Sequence, residues 1–256
     1  MMGRLYINLL TKSSLAAEEE GRRLLDIWIN NLPHYLPDIY GNYEPLRDKF
    51  DKGNVSQCLE KWSYPFLVKK GRPRMNGSIF MGGGKIPTHG WIHIILECSD
   101  TDPNEAVSFA RAISRSFGVE FGFIHLLTKH EFGEAFSSAV HSVRVDSLMN
   151  NLTVTTHDLR IALPNIYWGT IFGPSYVELF GPEAFKSLPA CVTVEELSQD
   201  SCYLQLSNNI FDLEREFGSF SQCRDKVKEH LGCRAFFDAK FGSKFQYLVP
   251  TFDNLL

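Results

Sequence analysis

The residues able to do chemistry are the histidines, the cysteines, one glycine-rich turn and two polar groups inside an apolar stretch. His130, Glu131 and Glu134 form H-E-x-x-E. A zinc protease needs H-E-x-x-H, whose two imidazoles lie one helical turn apart on the metal. A carboxylate stands where the second histidine belongs, and two groups at i and i+4 do not close a site. His89 and His93 flank the start of a strand-like run and fall on one side of it, with no third ligand in the pattern. Gly82-Gly83-Gly84-Lys85 has the composition of a phosphate loop without its spacing. Ile86 replaces the Ser or Thr that would follow Lys85, and Pro87 prevents a helix from starting there. Cys58, Cys98, Cys191, Cys202, Cys223 and Cys233 contain no C-x-x-C pair, so they propose neither a zinc site nor a dithiol motif. Cys98 and Cys202 lie in apolar runs and read as small buried hydrophobes in a reducing compartment. Ser175 lies in G-P-S-Y, not in a G-x-S-x-G elbow, and Glu178 lacks a carboxylate neighbour. No catalytic residue, metal or cofactor is assigned. A nucleophile paired with histidine only in space stays open, since such partners need not be close in sequence.

Composition narrows the classes. A chain of 256 residues holds one large domain or two small ones, and 44% hydrophobic with 22% charged residues is the balance of a folded globular protein. The net charge of −4 supplies no basic face, so no nucleic-acid partner is expected. No apolar run approaches the roughly 18 residues of a membrane span. The first residues, MMGRLYINLLTKSS, lack a long apolar region and a small-residue cleavage site, which predicts a cytoplasmic protein.

Periodicity then places the elements. Arg4 to Leu10 predicts a strand, and Ser14 a cap for a helix that opens on Glu18, Glu19 and Glu20 and stops before Pro33. Gly53 to Trp62 holds a short helix. Pro65–Val68, Ser78–Met81 and Trp91–Cys98 read as successive antiparallel strands. Asp100 to Pro103 starts a helix that runs to Gly118, Val119–Leu127 returns as a strand, and Lys129 to Val143 predicts another helix. Cys191–Glu195 and Ser201–Leu206 form a hairpin, Phe220–Leu231 a helix capped by Gly232, and Arg234–Asp238 a final strand. The fold class is α+β, with mixed or mostly antiparallel sheets packed with helices and two loosely similar halves sharing one core. That describes a single domain over 1–256, or intimately packed subdomains at 1–150 and 151–256.

One loop has the composition of a recognition surface. HYLPDIYGNYEPL offers Tyr35, Tyr40 and Tyr43 as rigid aromatic anchors, with Asp38 and Glu44 to steer a basic partner. A loop whose tyrosines pack onto the core fits the same composition. The turn KKGRPRMNG, with Lys69, Lys70, Arg72 and Arg74, reads as a solvated hairpin turn.

The most apolar unit is LPNIYWGTIFGPSYVELFGP, residues 163–182. It predicts a buried strand through Trp168, a turn at Gly173, a helix opened by Pro174 and filled by Tyr176 and Phe180, and a stop at Gly181. Taken with His230-Leu231-Gly232 and Phe236-Phe237, this pattern resembles a group of bacterial immunity proteins. These are the antidotes encoded beside toxins of polymorphic-toxin and type VI secretion systems, and the resemblance is to the family known as immunity protein fifty-two. It covers about residues 160–240 and is a packing motif. What it implies is a non-enzymatic binder that neutralises a cognate secreted protein toxin in the cytoplasm. An enzyme with a spatially assembled site, such as a hydrolase reversing the toxin's modification, remains the alternative, and self-assembly a third.

Overall fold

The computed structural model describes residues 3–83, 87–98, 103–128, 152–238, 240–242 and 245–252. The H-E-x-x-E motif, the helix expected after Lys129, Gly84 with Lys85, and Asp100 to Asp102 lie outside the described residues. The fold is α+β, and its strands pair antiparallel in every named register. Contacts divide the chain into two units between Gly122 and Phe123, a point inside strand β7 (Val119–Leu127).

The first unit runs β1 (Gly3–Thr11), α1 (Glu18–Asn31), a 3-10 turn at Pro33–Tyr35, β2 (Ile39–Gly41), β3 (Asp48–Lys49), α2 (Val55–Leu59), β4 (Phe66–Lys70), β5 (Met75–Phe80), β6 (Gly90–Cys98) and α3 (Asn104–Phe117). Its strand order is β3-β2-β4-β5-β6-β1. β1 and β6 pair over nine residues, from Gly3 opposite Cys98 to Thr11 opposite Gly90. Leu5, Tyr6, Ile7, Leu9 and Leu10 are all buried, as is Asn8 between them, so β1 is covered on both faces and does not alternate apolar with exposed polar residues. Helices α1 and α3 pack together through Trp28 and Phe109, whose ring centres are 5.4 Å apart. Gly118, at φ +62°, supplies the left-handed residue that ends α3.

Ser14 does not cap α1. Its hydroxyl donates to Met81 O and accepts from Ala16 N, and the helix starts at Glu18. That serine ties the β1–α1 connection to the end of the β5 segment.

The second unit contains α4 (Thr156–Leu159), β8 (Gly169–Phe172), α5 (Pro174–Phe180), α6 (Pro182–Lys186), β9 (Thr193–Ser198), β10 (Ser201–Gln205), α7 (Asp212–Arg215), α8 (Phe217–Leu231) and a 3-10 turn at Cys233–Ala235. Its strand order is β7-β8-β10-β9. The strand expected from Ile166 shortens to Gly169 for a local reason. The Ile166 amide donates to Asn165 Oδ1 and the Tyr167 amide to Thr170 Oγ1, so side chains take the bonds a ladder would have used. The expected last strand is also replaced. A 3-10 turn precedes a single parallel bridge between Leu163 and Phe236, in which Leu163 N donates to Ala235 O and Phe237 N to Leu163 O. Pro182 does not merely stop α5: with Gly181 at φ +79° it opens α6.

Trp62 carries a packing constraint with a clear sign. Its indole N–H donates to Leu15 O at 2.8 Å, and its ring lies against Gly21 of α1. A Cβ at Gly21 would come within 2.6 Å of that ring. Valine gains only a few tenths of a kcal/mol over glycine in helix propensity, while overpacking a filled core costs about 1–3 kcal/mol. Gly21→Val is therefore expected to lower the unfolding free energy by about 1–3 kcal/mol, read by denaturant titration. A variant as stable as the parent would show that the Trp62 ring moves freely.

Candidate functional site

The structure separates the five residues of the recognition loop. Tyr35 is pinned at both ends: its hydroxyl donates to Glu97 O at 3.2 Å, and its carbonyl accepts from Trp28 Nε1 at 3.1 Å. Tyr40, in β2, is 2% exposed, stacks on Phe66 and donates its hydroxyl to Gln57 O. Burial, with the nearby Cys58, Asp48 and Glu60, pushes that phenol up to about 12. Tyr40 therefore belongs to the core and offers no anchor, which corrects its assignment as a contact residue. Tyr43 differs, with 80% of its surface exposed.

The acidic half of the loop is answered from within the chain. Glu44 pairs with Lys69 at 2.6 Å, while Asp38 meets Lys70 at 3.5 Å and accepts from the Gly71 amide at 2.7 Å. Asp48 pairs with Lys61 at 2.5 Å. The basic turn and the acidic loop, distinct features in the sequence, thus face each other. Exposed pairs of this kind contribute about 0–1 kcal/mol each.

A second exposed aromatic escaped the sequence reading. Tyr64 is 65% exposed. Asn42, next to Tyr43, donates through Nδ2 to the carbonyls of Lys61, Ser63 and Pro65, which ties the two tyrosine-bearing loops together. Tyr64 meets Phe80 edge-on at 5.2 Å, Phe80 stacks on Trp91 at 4.5 Å, and Trp91 stacks on His93 at 5.4 Å. This row runs from a buried histidine to an exposed phenol and holds Tyr64 in place before any partner arrives. No sequence signal marked it, because its members come from three separate segments.

Several of the described histidines and thiols are buried in the core. His89 and His93 are buried, and among the described residues no group of three or more His, Cys, Asp or Glu is arranged to hold a metal. His125, in β7, accepts the Trp168 amide through Nδ1 at 3.1 Å and meets the Tyr167 ring edge-on. Burial pushes the Cys58 and Cys202 thiols up to about 12, opposite to the shift that activates a nucleophilic cysteine. Lys228 moves down to about 8, chiefly by burial and then by Arg224, with its ammonium 5.7 Å from the Phe236 ring centre.

The motif at 163–182 builds the wall of a cavity. Trp168 is buried, its indole N–H donating to Ser207 Oγ and its carbonyl accepting from Leu206 N. Gly173 keeps φ at −91°, which any residue adopts, and Pro174 starts α5. Phe172 then touches Tyr176, Phe180 and Phe185 at 5.7, 5.8 and 5.6 Å. Beside this cluster lies a cavity of about 600 Å³ whose lining includes Val177, Phe185, Leu188, Val194, Glu196 and Ser201.

The fold has a known counterpart. The chain superposes on a Pseudomonas aeruginosa T6SS protein, PA0821, with a TM-score of 0.53 and 12% identity, over 99% of this chain and 80% of that one. At that identity the likeness concerns the fold. No protein-family model matches the sequence, and no curated protein does. The resemblance to the immunity family therefore rests on the residues that carry it, not on a family match.

One bond at this site overturns an expectation. Cys191 and Cys223 form a disulfide with Cα atoms 6.1 Å apart, joining the segment before β9 to α8. Cys98 and Cys202 had pointed to a reducing compartment, and no spacing rule links Cys191 to Cys223, 32 residues further on. Replacing both with alanine removes the constraint on the unfolded chain and is expected to lower the unfolding free energy by about 2–4 kcal/mol. Reductant should shift the parent protein the same way. Equal stability of variant and parent would contradict the bond.

Proposed function

We propose that this chain is an immunity-type protein that binds and neutralises a cognate toxin of a type VI secretion system without catalysing a reaction. The observation that carries the reading is the superposition of 99% of the chain on a T6SS protein. The motif from Trp168 to Gly181 supports it independently, and burial favours the neutral form of the Cys58 and Cys202 thiols. Tyr43 and Tyr64 are the proposed anchors in the first unit. Both are exposed, and their loops are fixed by Asn42, so ordering them on binding costs little. The Cys191–Cys223 bond weighs against the cytoplasmic placement read from the sequence, since such bonds persist in oxidising compartments.

Calorimetric titration against the toxin-like product of the neighbouring gene tests this reading. A 1:1 complex with roughly nanomolar affinity is expected. The double change Tyr43→Ala and Tyr64→Ala should weaken it about tenfold or more, the scale of a modest hot spot. No complex between folded protein and active toxin would refute the binder. Undiminished affinity in the double variant would remove only this surface.

A further inference from the structure

Between the end of α6 and the start of β9 the chain crosses a short strap, Leu188 to Val192. Both of its ends are fixed. Ser187 bonds Glu183 O through its amide at 3.2 Å and its hydroxyl at 3.0 Å, and His230 Nε2 of α8 meets Ala184 O at 2.9 Å. Thr193 pairs with Gln205 in β10. The strap itself has far less to hold it. Among the described residues its one hydrogen bond runs from Val192 N to Pro189 O at 3.0 Å, inside the strap, and none of its residues is fully buried. Leu, Pro, Ala, Cys and Val carry no charge for an ion pair. What ties the strap to the rest of the unit is covalent, the bond from Cys191 to Cys223 in α8.

The strap is also part of the cavity. Leu188, Pro189, Ala190 and Val192 all line it. Its two anchoring sulfurs differ in access. Cys191 is exposed, whereas Cys223 lies on the buried face of α8 at 5% exposure. Disulfides open when a thiolate attacks one sulfur and expels the other, so access selects the sulfur attacked. Here the open approach is to Cys191. The unit's other described thiols do not supply the attacker. Cys202 is buried, which pushes its thiol up to about 12 and keeps it protonated. Cys233 is exposed but stands beyond the end of α8. At the helical rise, Cys223 to Leu231 alone spans about 12 Å, past the roughly 7 Å between Cα atoms that a disulfide tolerates. The bond therefore opens to a thiol from solution and closes again on the same pair.

We propose that Cys191–Cys223 is a thiol-exchange site, opened by small thiols at Cys191, that releases the strap and with it one wall of the cavity. The thiolate of the small thiol attacks Cys191 Sγ. A mixed disulfide forms there, the bond to Cys223 breaks, and Cys223 leaves as a thiolate that takes a proton from water. A second small thiol attacks the mixed disulfide and restores Cys191 as a thiol. The protein gains two electrons and two protons, and the two small thiols leave as their own disulfide. Leu188 to Val192 then regain backbone freedom, while α6 and β9 keep the hydrogen bonds that hold them. This local opening is independent of whether the chain binds a toxin.

The test uses the full, folded chain and two reagents. After brief exposure to glutathione and an acid quench, peptide mapping by mass spectrometry should find glutathione on Cys191 at least about tenfold more often than on Cys223. After dithiothreitol, elastase, which cuts after small side chains, reads the strap, because cleavage follows the population of the opened segment. Cuts after Ala190 or Val192 should speed up about tenfold or more, while those after Ala184 in α6 and Ala235 stay within about threefold. The double change Cys191→Ser and Cys223→Ser should cut at the fast rate without reductant and ignore its addition. The parent with and without reductant carries the test by itself, so a misfolded variant does not decide it. Glutathione mapped to Cys223, or a bond that dithiothreitol leaves intact in the folded protein, would overturn the exchange site. Unchanged cutting in the strap after reduction would overturn its release. Acceleration at Ala184 and Ala235 as great as at Ala190 would show that the bond holds the whole unit and would overturn a local opening.

Discussion

The second unit depends on the packing of Phe172. β8 has only four residues and could not persist alone. It ends on a ring that meets Tyr176, Phe180 and Phe185, one from the start of α5, one from its end and one from α6. Burying such a ring contributes about 1.5–3 kcal/mol, and each favourable aromatic contact about 0.5–1.5 kcal/mol more. Together these exceed what two helices of seven and five residues could supply by themselves. Phe180 carries the cluster on to Phe236, and through it to the bridge at Leu163. The wall of the cavity, the course of α6 and the closing of the chain after α8 all follow from this one ring.

Much of the fold could be read from the sequence, and the parts that could not share a cause. The strands read at Pro65–Val68, Ser78–Met81 and Trp91–Cys98 correspond to β4, β5 and β6, which pair antiparallel, although Lys69, Lys70 and Met75 to Gly77, read as part of a turn, belong to β4 and β5. α3 is legible because Ala106, Phe109, Ala110 and Ile113 repeat at helical spacing and Gly118 ends it. The errors came where a side chain overrode the pattern. Asn165 and Thr170 capture amides that Ile166 and Tyr167 would have given to a ladder. Ser14 bonds Met81 across 67 residues in place of capping its own helix.

The candidate surfaces were less legible, for a related reason. Composition identified a loop rich in tyrosine and acid but could not say which ring turns inward. Tyr40 and Tyr43 are three residues apart and have opposite fates, since Tyr40 faces Phe66 and Tyr43 faces water. Nor could composition show that Lys69 and Lys70 would answer Glu44 and Asp38. The row of rings at Tyr64 and the Cys191–Cys223 bond depend wholly on long-range pairing. Motifs built within one segment were found; surfaces assembled from several were not.

Neutralisation by binding is occupancy, and occupancy has a stoichiometry. Residual activity of a fixed amount of toxin, measured as the protein is titrated in, addresses that claim most directly. The account predicts a linear fall that reaches zero at one protein per toxin and does not deepen with longer incubation. Complete neutralisation by a small fraction of an equivalent, progressing with time, would mean turnover and would contradict the binder.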